Sequence, residues 1–176
     1  MKYFAHFFIV YLIFTSIGFA NEKFQLNKAT ISIWVAKDWQ SVKDLFGVPL
    51  TFLGPKANGA RPVVSFTPTG LLDLKFDQKS LEKNQDEYKN GREAWLRSKD
   101  GKSLVYYPYQ FEHLKDGIDV HKIGYAYEVN EIRYSEYSYY ILCGGQLFHS
   151  KVLFRQEHEK QYTNVVDKMI RSFECK

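Results

Sequence analysis

Residues 132–154 read IRYSEYSYYILCGGQLFHSKVLF. Two runs of alternating side chains flank Gly144-Gly145, and a Gly-Gly pair supplies the positive φ angles that a two-residue hairpin turn demands. Successive strand residues point to opposite faces. Tyr134, Tyr140 and Leu142 therefore share one side of the first run, and Tyr137, Tyr139 and Ile141 the other. Large apolar groups on both sides imply a strand covered from two directions. The stretch predicts an antiparallel hairpin inside a sheet, with something packed on each face.

Working outward, the same grammar recurs. Ile123, Tyr125, Tyr127 and Val129 mark a strand ended by Asn130, and a strand near 103–113 precedes Lys115-Asp116-Gly117. Along that strand Val105, Tyr107, Tyr109 and Phe111 alternate and are expected to point one way. Pro108 interrupts it; proline cannot donate a ladder hydrogen bond, so it belongs on an edge or at a bulge. Further upstream, Ile31–Val35, Val48–Leu53 and Pro62–Thr67 read as strands, with a turn at Asn58-Gly59, while Thr69–Asp77 is ambiguous. Ser80–Ser98 changes period: Leu81, Tyr88 and Trp95, with Leu96, form a thin apolar stripe on a charged helix. After the hairpin, Tyr162, Val165, Val166, Met169, Ile170 and Phe173 fall on one unbroken helical face. The expected class is α+β, a largely antiparallel sheet flanked by helices.

The chain opens Met1-Lys2-Tyr3, runs apolar from Phe4 to Phe19, and reaches Gly18-Phe19-Ala20 before Asn21. One lysine, an apolar core and small residues before a cut are the parts of a secretory signal. The expected organisation is a signal peptide, 1–20, and one domain, 21–176, exported to the periplasm or secreted. Cleavage removes Lys2 and no acid, so the mature charge is one unit below the +4 of the full chain. Bases and acids interleave from Glu82 to Lys102, which reads as a solvated helix face and not a nucleic-acid surface. Membrane contact is expected only through the leader, if it is retained. In an exported chain the two cysteines, Cys143 and Cys175, read as a disulfide stapling the last helix to the sheet.

Three segments resemble the PsbP-like fold superfamily, which includes bacterial DcrB-like exported proteins. The first is Ile33-Trp34-Val35-Ala36-Lys37-Asp38-Trp39 leading to Leu53-Gly54-Pro55 and Arg61–Ser65, with Ala36 where the family corner has proline. The second is Tyr88–Leu96; the third is Tyr139–Phe148 followed by Ile170–Cys175. The resemblance implies an α/β/α sandwich used for binding rather than catalysis, and it carries over no functional residue.

No phosphate loop, nucleophile elbow or H-E-x-x-H segment occurs. Asp119 and His121, with His113 or His149, make a partial ligand set, but a closed site needs four converging groups, and no metal or cofactor is expected. Cys143 with His149 or His121 would be a nucleophile pair only as a free thiolate. No catalytic residue is assigned. The unusual feature is the aromatic load, 13 Tyr and 14 Phe. Tyrosine suits half-buried strands, yet a few rings can also form a binding face. Trp39, Tyr106, Tyr107 and Tyr109 are the binding candidates, grouped at a sheet rim. The expected function is a non-enzymatic exported domain that binds another envelope or secreted protein or assists envelope assembly. The alternatives are a small-ligand or lipid carrier with a pocket between sheet and helix, and a hydrolase whose site the sequence hides.

Overall fold

The computed structural model describes residues 21–26, 29–70, 79, 82 and 85–176. The expected leader Met1–Ala20, Leu81 and the ambiguous residues 71–77 lie outside them. The chain forms β1 (Glu22–Leu26), β2 (Ala29–Ile33), β3 (Gln40–Leu45), β4 (Val48–Leu53), β5 (Val63–Pro68), α1 (Gln85–Arg97), β6 (Lys102–His113), β7 (Asp119–Val129), β8 (Ile132–Cys143), β9 (Gln146–Arg155), α2 (Glu159–Arg171) and β10 (Glu174–Cys175). Seven strands make one sheet in the order β3-β4-β5-β9-β8-β7-β6, and a smaller sheet runs β1-β2-β10. Every pairing is antiparallel.

The Gly144-Gly145 hairpin forms as read, with φ of 58° and 73° at the two glycines and Cys143 opposite Gln146. β8 lies inside the large sheet and is covered on both sides. One face is phenylalanine-rich. Phe52, Phe66, Phe148 and Phe154 meet Val166, Met169, Ile170 and Phe173 from the C-terminal helix region. Phe173 stacks on Phe66 at 5.7 Å and meets Phe148 edge-on at 5.3 Å. Rings of this size dominate core burial and pack best in offset or edge-to-face pairs. The small sheet closes over the same core with Phe24, Leu26, Ile31 and Ile33.

The opposite face is tyrosine-rich and carries α1. Leu96 is buried there with Tyr125 and Tyr127, and Tyr88, Tyr106 and Tyr134 pack against them. In its middle sits Glu136, whose side chain is almost fully buried. Arg92 of α1 approaches it at 3.4 Å and Lys151 of β9 at 3.0 Å. A buried carboxylate is tolerated when such partners compensate its lost hydration, so this triad also fixes how α1 lies on the sheet.

Three strands, β1, β3 and β10, escaped the sequence reading, and a fourth formed in an unexpected place. Ile31–Val35 predicts a strand, and Ala29–Ile33 forms one, but in the small sheet. There it pairs with the C-terminus: Cys175 lies opposite Ile31, and Thr30 and Lys176 exchange backbone hydrogen bonds. β3 went unseen because it is an outer strand with a mostly polar sequence, QSVKDL. β10 is too short to show a pattern.

The β3–β4 turn carries an unusual residue. Phe46 and Gly47 connect the paired residues Leu45 and Val48, with φ of 50° and 80°. Two successive positive φ values mark a type I′ turn, where asparagine is favoured first. Phe46 instead stands 97% exposed. Phe46→Asn should raise stability by about 1 kcal/mol, the usual penalty of a bulky residue in the left-handed region, seen as a higher urea midpoint.

The expected bridge is present, Cys143–Cys175, across 32 residues of sequence. Loop entropy assigns such a closure roughly 3–4 kcal/mol. Cys175→Ser should lower stability by that order, and intact mass of unreduced, alkylated protein should show no free thiol.

Candidate functional site

β6 is the edge strand of the large sheet, as Pro108 required, and it carries two irregularities. Ser103 pairs with Tyr127 and Val105 with Ala126, so Leu104 is an extra residue; Tyr107 pairs with Gly124 and Gln110 with Lys122, which leaves Pro108 and Tyr109 opposite Ile123. A bulge inserts one residue and so shifts the in–out alternation beyond it. The expectation that Val105, Tyr107, Tyr109 and Phe111 point one way is therefore corrected. Val105 and Tyr107 lie on the α2 side, while Tyr109 and Phe111 lie on the α1 side over His121.

On the α2 side, the Tyr107 ring stacks on Tyr137 at 5.1 Å. Gly124 makes this possible: a Cβ there would collide with the Tyr137 ring and the Glu136 carbonyl. The Tyr107 hydroxyl lies 3.3 Å from Ser135 Oγ, Ser135 donates to Glu159 at 2.7 Å, and Tyr137 donates to the other oxygen of the same carboxylate. Burial first, then the bond to Glu159, pushes the Tyr137 phenol far above its ordinary value. Below this network Lys122 projects beneath α2, its Nζ 4.5 Å from the Tyr137 ring centre and 5.2 Å from that of Tyr139. Asp167 Oδ1 lies 4.0 Å from the ammonium. Desolvation pushes Lys122 below the ordinary lysine range.

On the α1 side, Tyr106 stacks on Tyr125 at 5.8 Å and donates to Glu93 at 2.9 Å. Burial, helped by that carboxylate, pushes its phenol up to about 12. The Tyr109 hydroxyl lies 2.6 Å from His121 Nδ1, and Phe111 covers the same imidazole at 5.0 Å. His113 and Asp119 form a surface pair at 2.6 Å. Among the described residues, no three His, Cys, Asp or Glu side chains converge as metal ligands. Cys143 is spent in the disulfide, which removes the cysteine nucleophile.

The four rim candidates thus divide. Tyr106, Tyr107 and Tyr109 cluster on β6, half-buried, with each hydroxyl engaged. Trp39 does not join them. It is buried at the start of β3, the opposite edge of the sheet, where it meets Tyr162 edge-on at 6.3 Å. The exposed apolar groups at the rim are others: Leu104, Val105 (44%), Phe111 (46%) and Trp95 of α1. Leu104-Val105 was a readable signal, because two adjacent apolar residues in one strand cannot both face one core. Lys122, set among Val120, His121 and Ile123, was another.

A last polar pair lies on the α1 side of the sheet. His149 Nε2 is 3.1 Å from Ser138 Oγ, and its ring stacks on Tyr140 at 4.9 Å. Burial, then the charges of Lys151 and Arg92, push this imidazole below its ordinary 6.5. The unfolded chain then binds a proton that the fold resists, so stability falls as pH drops through that value toward the lower folded pKa. Urea midpoints measured between about pH 7 and 5.5 should fall for the wild type, and His149→Gln should flatten the slope.

No protein-family model and no curated protein matches the chain. Solved structures do. Cyanobacterial PsbP from Synechocystis sp. PCC 6803 aligns over 90% of this chain and 95% of its own, at 12% identity and a TM-score of 0.58. LpqN of Mycobacterium tuberculosis, described as involved in cell envelope biogenesis, aligns over 84% and 83% at 13% identity and a TM-score of 0.59. At such identity the likeness concerns architecture alone. With its antiparallel sheet, two flanking helices and a match over most of each chain, the chain has a PsbP-like fold.

Proposed function

We propose that this protein is an exported accessory of the cell envelope that acts by gripping another protein across the β6 edge, and not by catalysis. The observation that carries the reading is the apolar fringe of β6. Near the start of the strand Val105 is exposed on one side, next to Leu104 at the bulge, with Trp95 of α1 packed over Tyr127 on the other side, and Phe111 is exposed farther along over His121. Aromatic and aliphatic groups displayed on a firm base are the usual anchors of an interface. The tyrosines beneath, held through their hydroxyls, supply that base.

The partner meets side chains more than backbone. Two bulges and Pro108 blunt the edge, devices that hinder strand addition. Export is supported by the leader-like residues 1–20 and by the disulfide, which persists in oxidising compartments. The envelope role of LpqN agrees with this reading, and the DcrB-like exported proteins remain the narrower likeness proposed for the chain.

A photo-crosslinking residue at position 104, introduced in cells, should join the protein to a second envelope protein, whereas one at the exposed Lys56 should not. Trp95→Ala and Phe111→Ala should keep the wild-type urea midpoint within about 1 kcal/mol, as surface changes do, yet lose the adduct. Equal labelling from both positions, or adducts indifferent to both variants, would remove the rim from the function.

A further inference from the structure

The cleft under α2 is a second site, which meets the rim at Phe111. It holds about 80 Å³ and opens to solvent between β6, β7 and α2. Val120 and Ile170 give it apolar walls, and Tyr139 closes its inner side. Four charges line it: Lys122 and Arg171, Asp167 and Glu112. They alternate. Glu112 and Arg171 pair at 3.3 Å, exposed to water, while Lys122 stands deeper, 4.0 Å from an Asp167 about as exposed as Glu112.

Lys122 is the least closely paired member. Its side chain is 20% exposed, and among the described residues its ammonium meets two aromatic faces and one distant carboxylate, with no acceptor at hydrogen-bond range. Its Nζ is not sealed from solvent, so water in the open cleft can meet its three donors, and a ligand can take that water's place. Ring faces attract the charge but accept no strong hydrogen bond. Desolvation at this amine, which lowers its proton affinity, is what an incoming oxyanion would relieve. A bare anion is nevertheless a poor fit, because Asp167 and Glu112 would repel it. A molecule carrying both signs suits this mixed lining better.

We infer that this cleft binds a small zwitterion of the α-amino acid class, its carboxylate on Lys122 Nζ and its ammonium toward Asp167 and Glu112. A water needs roughly 10–15 Å³ of such space, so the volume admits the head of glycine or alanine and sends anything longer out through the open mouth. Phosphate-like ions are disfavoured by the two acids.

The test is an NMR titration of the mature protein with glycine, acetate and methylammonium, each in the millimolar range. Glycine should move the amide signals of Lys122, Tyr139 and Asp167 saturably, while acetate and methylammonium, each carrying half of the charge pattern, should bind at least tenfold more weakly. Lys122→Met, which keeps the stem and deletes the charge, should abolish the shifts while the spectrum stays dispersed. If that variant unfolds, exposed Glu112→Gln should still weaken glycine severalfold. No saturable shift with glycine, acetate binding as tightly as glycine, or undiminished binding by the folded variants would overturn the assignment.

Discussion

The apolar face of α2 must be buried, and nearly everything else in the molecule follows from how it is done. Val166, Met169, Ile170 and Phe173 have almost no exposed surface. They find it on the phenylalanine face of the large sheet, where Phe173 fits between Phe66 and Phe148. Fixing Phe173 brings the last residues alongside β2, where β10 completes the small sheet, and sets Cys175 beside Cys143. The C-terminus is thereby held by packing, by ladder hydrogen bonds and by a covalent bond. Trp34 joins the same junction: its backbone N–H donates to Ser172 Oγ at 2.8 Å, and Lys168 lies over its ring at 3.8 Å.

The two faces of the sheet solve different problems. Phenylalanine carries no polar atom and can be enclosed by two layers. Tyrosine brings a hydroxyl that needs a partner, and the α1 face provides glutamate and histidine partners near its margin. The same logic operates under the first turn of α2, where Glu159 accepts from Ser135 and Tyr137. A carboxylate there also suits the positive end of the helix dipole. These networks hold the β6 aromatics in place, so the exposed Leu104, Val105 and Phe111 project from a firm edge.

Charges are used sparingly and at depth. Glu136 draws one cation from β9 and a second from α1, so docking the helix both buries the carboxylate and adds to its compensation. Lys122, on the other face, has no comparably close partner. The contrast between a buried acid with two close cations and a partly buried base with one distant carboxylate sets the cleft apart from the rest of the core.

Periodicity determined the elements. The alternation around Gly144-Gly145, the unbroken stripe from Tyr162 to Phe173 and the placement of Pro108 on an irregular edge strand were all legible, because each is a local consequence of backbone geometry. The disulfide was legible too, since only two cysteines exist. The tertiary structure alone decided which strands became neighbours and which side chains faced water. Trp39 and the β6 tyrosines look alike in sequence, yet strand order sets them at opposite edges of the sheet. The extra residue at Pro108-Tyr109 reverses the facing of everything after it, and the gap beneath α2 arises only when the helix settles over Val120, Lys122 and Tyr139. Register, strand order and the spaces between layers depend on contacts far apart along the chain, and a periodic pattern carries no record of them.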